Sequence, residues 1–382
     1  MKTVLSFIDW YLPGYKAGGT LKAFANQVAH FENDYKFKII TRNTDYCETE
    51  PYANVEADKW NKLAENVEVY YVSVPNVNYK NFKRLVSETS FDAVYIHGIY
   101  SMWFSILPIY LAKKKKAKRI VVAVHGMFGK HAISVKPAKK QIFAFAAKLM
   151  SFYKGVIFHA ANQDEADDVE NVAGPKAQVI IAEEMPMKMK MEAWKQRGKE
   201  SGTLNLLSVA RIAPEKNTRF AIEVLKGCTN GSIVYDIYGP VYEQEYWKEC
   251  QDLIARLPKN VTVNYKGSIK GDLVLEAMTN YHFMFLPTTG ENFGHTILES
   301  FMASTPVIIS NKTPWQNLAQ KQAGWEIPLD RTDVFVEKIN EAAGLDQAAY
   351  DKLSQHALEF AWEFVNDKSI FEQNKRLFEH EK

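Results

Sequence analysis

Twelve short apolar runs, rich in β-branched and aromatic residues, alternate along the chain with segments of helical periodicity. Seven precede residue 190 (KTVLSFI, FKIIT, VEVYYVS, DAVYIHG, RIVVAVH, GVIFHA and QVIIA), and five follow it (LNLLSVA, SIVYDIYG, VTVNYKG, HFMFLP and PVIIS). Runs this continuous need cover on both faces, which parallel sheets flanked by helices provide. A chain of 382 residues also exceeds what one hydrophobic core ordinarily serves. The stretch PMKMKMEAWKQRGKESGT, residues 186–203, has no core pattern and separates the two groups of strands. The expected architecture is α/β, with two doubly wound Rossmann-like domains facing across a cleft. Ligands are expected at the strand carboxyl ends and in that cleft. The closing stretch ALEFAWEFVNDKSIFEQNKRLFEHEK reads as amphipathic helix added after the second sheet is complete.

Composition removes several classes. With 47% hydrophobic residues, 19 glycines and 14 prolines, the chain is neither collagen-like nor disordered nor a coiled coil, and no fixed-period repeat suggests a solenoid. Cys47, Cys228 and Cys250 are far apart and form no Cys-x-x-Cys pair. That pattern excludes a zinc ribbon or disulfide framework and suits a reducing compartment. The first apolar run is stopped by Asp9 too early for a signal peptide. The run Met102–Ala112 is about half of the roughly 20 residues a spanning helix needs. The expected location is cytoplasmic, with peripheral attachment at the inner membrane face as an extension. Two doubly wound domains also suit a dehydrogenase, but DWYLPGYKAGGT after the first strand is not G-x-G-x-x-G, and no P-loop motif occurs.

The formal charge of +2 hides an asymmetry. Residues 1–190 hold 26 basic and 19 acidic side chains, and residues 191–382 hold 21 and 26. Residues 93–163 carry twelve Lys or Arg and no acid, including Lys113, Lys114, Lys115, Lys116, Lys139 and Lys140. A lysine run can simply close a helix, favoured by the helix dipole. Interleaved with IFAFAA and LMSFY, the same cations suit an anionic lipid surface or a phosphate-bearing acceptor. Nucleic acid fits poorly, because the acidic second half would repel it.

The densest chemistry lies in PTTGENFGHTILESFMASTPVIIS, residues 287–310. A buried strand delivers a Gly-containing loop that opens a helix near Gly294 or His295, and the first amides of a helix favour an anion. Glu291 precedes that helix; Glu299 lies within it and leans back towards its start. Carboxylates flanking an anion site make sense if the anion carries sugars on both sides. Glu291 as a plain helix-terminal charge and Glu299 as an exposed surface residue form the alternative. In LNLLSVARIAPEKN, Arg211 and Lys216 project from one strand-to-helix loop, either to neutralise a diphosphate or, for Lys216, to pair with Glu215. Gly18-Gly19-Thr20 permits close backbone approach to a phosphate or forms a plain turn. His125-Gly126 and His97 sit at strand ends, where a histidine serves a ligand or a structural hydrogen bond.

Together these residues resemble the retaining glycosyltransferases of family four, which have the GT-B fold. The R-x4-K pair followed by E-x7-E carries the likeness, with Gly18-Gly19, His125-Gly126 and the Tyr238-Gly239-Pro240 turn as weaker support. The resemblance implies that residues 1–190 form an acceptor-binding domain and residues 191–355 a nucleotide-sugar-binding domain. Residues 356–382 would be helices packing back on the first domain. Arg211, Lys216, Gly18, Gly19 and the amides of Gly294, His295 and Thr296 would hold the donor diphosphate. Glu299 would bind ribose, Ile269 would meet the base, and Glu291 and His125 would serve the transferred sugar. The implied enzyme is metal-independent and has no cofactor beyond its nucleotide-sugar donor, UDP-sugar before GDP-sugar. It would transfer a hexosyl or N-acetylhexosaminyl group to a glycan or lipid-linked glycan. A nucleotide-sugar epimerase of the same fold, or a silent nucleotide-sugar-binding protein, is the competing expectation. The chain departs from the family pattern at AEEMPM, where Pro-Asn-Gly is common. That places Glu183 and Glu184 near the expected site without an assigned role.

Overall fold

The computed structural model of the chain describes residues 1–129, 152–188 and 192–379. It divides into two compact units, Met1–Lys188 with Lys368–Lys382, and Met189–Asp367. Lys139 and Lys140, two of the expected acceptor or membrane contacts, lie outside the described residues.

In the first unit the strands are β1 (Lys2–Phe7), β2 (Tyr35–Arg42), β3 (Trp60–Ala64), β4 (Val67–Val72), β5 (Ala93–His97), β6 (Ile120–Ala123), β7 (Ile157–Ala160) and β8 (Gln178–Ile181). They form one sheet in the order β3-β4-β2-β1-β5-β6-β7-β8. Every pairing is parallel except β3 with β4. Strands β1 and β5 carry Leu5, Phe7, Val94 and Ile96 into the core with no exposure, as continuous apolar runs require. The described helices of this unit include α1 (Gly19–Phe31), α2 (Tyr79–Glu88), α3 (Leu107–Lys114) and α4 (Gln163–Ala173).

The second unit has β9 (Thr203–Val209), β10 (Ser232–Tyr238), β11 (Val261–Gly267), β12 (Phe283–Leu286), β13 (Val307–Ser310) and β14 (Gly324–Ile327). Their order is β11-β10-β9-β12-β13-β14, parallel throughout. The order reverses direction beside β9, so the loops after β9 and β12 meet at a topological switch point, where such sheets bind ligands. Its helices include α5 (Thr218–Lys226), α6 (Gln244–Ile254), α7 (Val274–Met278), α8 (His295–Met302), α9 (Thr332–Gly344) and α10 (Gln347–Val365). Backbones crowd at the Tyr238-Gly239-Pro240 turn. A Cβ on Gly239, whose φ is 150°, would lie 1.8 Å from the Ala210 carbonyl oxygen, so no other residue fits.

All twelve expected strands are present. Strands β3 and β14 were not among them. Both are short edge strands, and WNKLA and GWEI have no apolar periodicity of their own; they exist because a neighbour offers its free edge.

The later part of the patternless segment, at Arg197 and Lys199, is strapped to the second unit. The Arg197 guanidinium donates to the carbonyls of Thr279 (3.3 Å) and Tyr281 (3.2 Å), to Thr305 Oγ1 (2.8 Å) and to the Ser304 carbonyl. Lys199 Nζ donates to the carbonyls of Glu200, Ala343 and Leu345, ending α9.

The return to the first unit begins at Lys368, not at the expected 356. Residues 347–365 are one continuous helix whose Tyr350, Ala357, Leu358 and Ala361 are buried in the second unit's cores, so the chain can leave only after it ends. The last helix, α11 (Lys368–Phe378), belongs to the first unit. Arg119 holds it there, donating from Nε to the Leu377 carbonyl (2.7 Å) and from Nη2 to that of Arg376 (2.5 Å).

Candidate active site

In the second unit the chemistry gathers where the loops after β9, β12 and β13 converge. Arg211 lies just past β9, half-exposed, with Nη2 3.0 Å from Glu215 Oε1. Lys216 ends the same loop, and its Nζ is 2.6 Å from Glu291 Oε1, with both side chains mostly buried. The alternative Lys216–Glu215 pair does not form; Glu215 takes Arg211 instead. One backbone group enforces this arrangement: the Glu215 carbonyl accepts from Thr289 N (2.9 Å), Thr288 Oγ1 (3.0 Å) and Thr289 Oγ1 (3.1 Å). Asn217, left-handed at φ 59°, donates from Nδ2 to the Pro287 carbonyl (3.0 Å). Glu291 N donates to the Lys312 carbonyl (3.0 Å), and Ser310 Oγ to that of Thr288 (2.5 Å), which brings in the loop after β13. Sequence reasoning missed Thr288, Thr289, Asn217 and Ser310. Short polar residues immediately after strand ends were the available signal.

Helix α8 opens at His295 with Gly294 as its N-cap, left-handed at φ 84°. A Cβ on Gly294 would lie 2.9 Å from Ile297 Cδ1 in addition to that φ, so glycine is required. Ile297 and Leu298 both donate to the Gly294 carbonyl, so the His295 and Thr296 amides precede the first intrahelical bond. His295 is buried with its ring 4.8 Å from that of Phe293, and Trp315 Nε1 donates to the Phe293 carbonyl (2.6 Å). Trp315, set by the TPW that follows β13, thus braces the start of the helix. Glu299 is 6% exposed, so it is not the surface residue of the alternative reading. Burying a carboxylate is costly, which makes the position informative. Ile269 follows β11 and packs, half-buried, on the cluster containing Met278 and Leu298. Beside it Tyr281 Oη donates to Asp236 Oδ2 (2.7 Å) and meets Tyr238 Oη at 2.9 Å, a polar chain the sequence did not announce.

In the first unit Gly18 precedes α1 at φ 78°, and Gly19 is the first helical residue. The His125-Gly126 turn after β6 is left-handed at both residues (φ 47° and 70°). The His125 ring turns inward: Nε2 is 3.0 Å from His97 Nδ1, and Nδ1 is 3.6 Å from Glu184 Oε1. Burial holds His97 well below the ordinary imidazole range, helped by His125 and His159. Burial also pushes His159 down to about 4. Glu165 is raised by burial, although it accepts from the amides of Ala161 (2.5 Å) and Gly126. Glu183 is anchored by its backbone to α11, its amide donating to Gln373 Oε1 (3.0 Å) and its carbonyl accepting from Asn374 Nδ2 (2.9 Å).

The lysine block behaves largely as a helix end. Lys115 Nζ donates to the carbonyls of Val86 (2.8 Å), Ser87 (3.2 Å) and Thr89 (2.7 Å), closing α2, and Lys113 Nζ donates to the Phe152 carbonyl. Lys114, Lys116 and Lys118 remain exposed. Among the described residues no helix is long and apolar enough to cross a membrane, and no group of three or more His, Cys, Asp or Glu is arranged to hold a metal ion.

Residues 190–359 match the family model of group 1 glycosyl transferases. No match to a curated protein sequence was found. The whole chain superposes on solved structures of low sequence identity. Sucrose-phosphate synthase from Thermosynechococcus elongatus gives a TM-score of 0.74 at 13% identity, over 99% of this chain and 98% of that one. Anabaena Alr3699/HepE, solved with UDP and glucose, gives 0.70 at 12% identity over 99% and 98%. WaaG, a glycosyltransferase involved in lipopolysaccharide biosynthesis, gives 0.65 at 13% over 98% of each chain. The fold is GT-B: two parallel-sheet Rossmann-like domains with a C-terminal helix. The group 1 glycosyl transferase match, residues 190–359, falls within the second unit, Met189–Asp367.

Proposed function

We propose that the chain is a retaining, metal-independent glycosyltransferase that moves a sugar from a UDP-sugar to a hydroxyl of a glycan or lipid-linked glycan. The observation that carries this reading is the pairing of Lys216 with Glu291 at 2.6 Å, at the switch point of the second sheet and just before the start of α8. A cation and a carboxylate held side by side suit a ligand whose diphosphate adjoins a sugar. The group 1 match over residues 190–359 and the similarity to a protein solved with UDP and glucose support the same substrate class.

Breaking the anomeric bond leaves negative charge on the diphosphate and positive charge on the sugar ring. Lys216, Arg211 and the first amides of α8 stabilise the former from fixed positions, which lowers the barrier without reorganisation. Those cations supply the charge a metal would otherwise bring. Glu291 takes sugar hydroxyls and Glu299 the ribose. Retention follows from attack on the face the diphosphate leaves, with a diphosphate oxygen accepting the acceptor's proton.

Nucleotide-sugars should be screened by thermal stabilisation, followed by transfer assays in EDTA. A UDP-sugar is expected to stabilise the protein, and transfer is expected to persist in EDTA with the anomeric configuration kept, read by NMR. Loss of transfer in EDTA or an inverted product sinks the corresponding part.

For the acceptor side, the exposed cations of the described lysine block that can meet an anionic membrane include Lys114, Lys116 and Lys118. Replacing all three by Gln should reduce flotation with anionic liposomes. Unchanged flotation removes this surface from the reading.

A further inference from the structure

Three buried histidines and two buried carboxylates (His97, His125, His159, Glu165 and Glu184) crowd beneath one turn of the first unit. They lie at the carboxyl ends of β5, β6, β7 and β8, the end of an α/β sheet that serves ligands. Burying so many polar groups is costly unless each is held. We propose that Glu184 is a positioning residue: its carboxylate fixes the tautomer and orientation of the His125 ring. The proposal rests on the reading that His125 serves the transferred sugar.

The backbone of His125 is left-handed at φ 47°, a strained conformation for a residue with a side chain. It is held from below by Glu165, which accepts the Gly126 amide, and by Met127 N donating to the Val124 carbonyl (3.0 Å). The ring is held from two sides. Its plane is 21° from that of His97, with centroids 5.3 Å apart, and Nε2 is 3.0 Å from His97 Nδ1. On the other side Glu184 Oε1 is 3.6 Å from Nδ1, too long for a good hydrogen bond but close for a charge.

A carboxylate facing Nδ1 favours the proton there. Nε2 of His125 then accepts, so His97 must donate from Nδ1, and His97 Nε2 is left with a lone pair. That atom is buried and has no hydrogen-bond partner among the described residues. It lines a cavity of about one water's size together with Gln27, Glu184 and Asn374. Phe24 and Tyr95, with ring centroids 4.0 and 4.3 Å from that of His97, keep the ring in apolar surroundings. One carboxylate thus sets the proton positions of two imidazoles in series. The other titratable groups around the pair are Tyr95 on β5, His159 on β7 and Glu165 on α4.

The test uses the full chain labelled with 15N-histidine, as wild type, Glu184→Met and Glu184→Gln. UDP-glucose is the donor probe and UDP the binding probe. In wild type the His125 nitrogens should report a proton on Nδ1. Glu184→Met removes the acceptor, so that preference should vanish, and kcat should fall about 100-fold with KM within about twofold, the scale seen when an orienting partner is lost. Glu184→Gln keeps an oxygen at the same reach and should retain the tautomer, with a loss of about tenfold. UDP affinity should not change in either variant. An unchanged tautomer in Glu184→Met overturns the proposal, as does turnover within about twofold of wild type. Reduced melting temperature and turnover with the tautomer unchanged would mark Glu184 as merely structural. If wild type binds UDP but turns over no sugar, the transferase reading fails, while the tautomer result still decides the role of Glu184.

Discussion

Lys216→Ala is expected to lower kcat about 1,000-fold and to weaken UDP binding, and Glu291→Gln to lower kcat at least about 100-fold without weakening it. Lys216 supplies charge where the leaving diphosphate develops it, so its loss weakens UDP as well as transfer. Glu291 holds Lys216 through a contact of 2.6 Å. Neutralising that carboxylate releases the cation, so UDP affinity should stay level or rise severalfold while turnover collapses. Calorimetry with UDP and a transfer assay separate the two effects. Because the two side chains touch, their effects should not add in the double variant. Glu291→Gln with normal turnover removes this site from the reaction, and weakened UDP binding in that variant refutes the assigned division of roles.

Acidification to pH 5 should destabilise the second unit by about 2 kcal/mol through His282 alone. Burial, with Arg197 and Lys199 nearby, pushes that imidazole down from 6.5 to about 4, while its Nε2 faces the Gly198 carbonyl at 3.1 Å. The unfolded chain takes up the proton below pH 6.5 and the folded one does not until about 4. Stability is therefore complete above 6.5 and is lost as pH falls through that window. In the first unit His97 and His159 act in the same direction. Glu165 and Asp9, both raised by burial, act in the opposite direction and reduce the loss there. Urea denaturation at pH 7.5 and 5 measures the difference, and His282→Gln should flatten it for the second unit. Equal stability at both pH values would show that His282 is not held neutral.

Much of the candidate site was legible because motif residues sit a few positions from strand ends. Arg211 and Lys216 follow β9, Glu291 follows β12, and Gly294 begins α8, so knowing the strands locates the side chains to within one loop. The partners were not legible. Lys216 looked equally able to pair with Glu215, its sequence neighbour, but the Glu215 carbonyl is occupied by Thr288 and Thr289 while its carboxylate takes Arg211. Likewise KKKKAKR read as a candidate surface, yet Lys113, Lys115 and Arg119 reach carbonyls 26 to 258 residues away in sequence. Local composition carries no information about a carbonyl so distant along the chain.

The sequence by itself determined that the chain builds two parallel sheets and which loops carry charge, because strand burial and turn chemistry are written in local periodicity. Tertiary structure alone decided that Glu299 is buried, that all of α10 stays with the second unit, and that Glu184 faces His125. These are contacts between segments far apart in the chain, formed only when the sheet order brings strand ends side by side, and their chemistry depends on burial that no short stretch encodes.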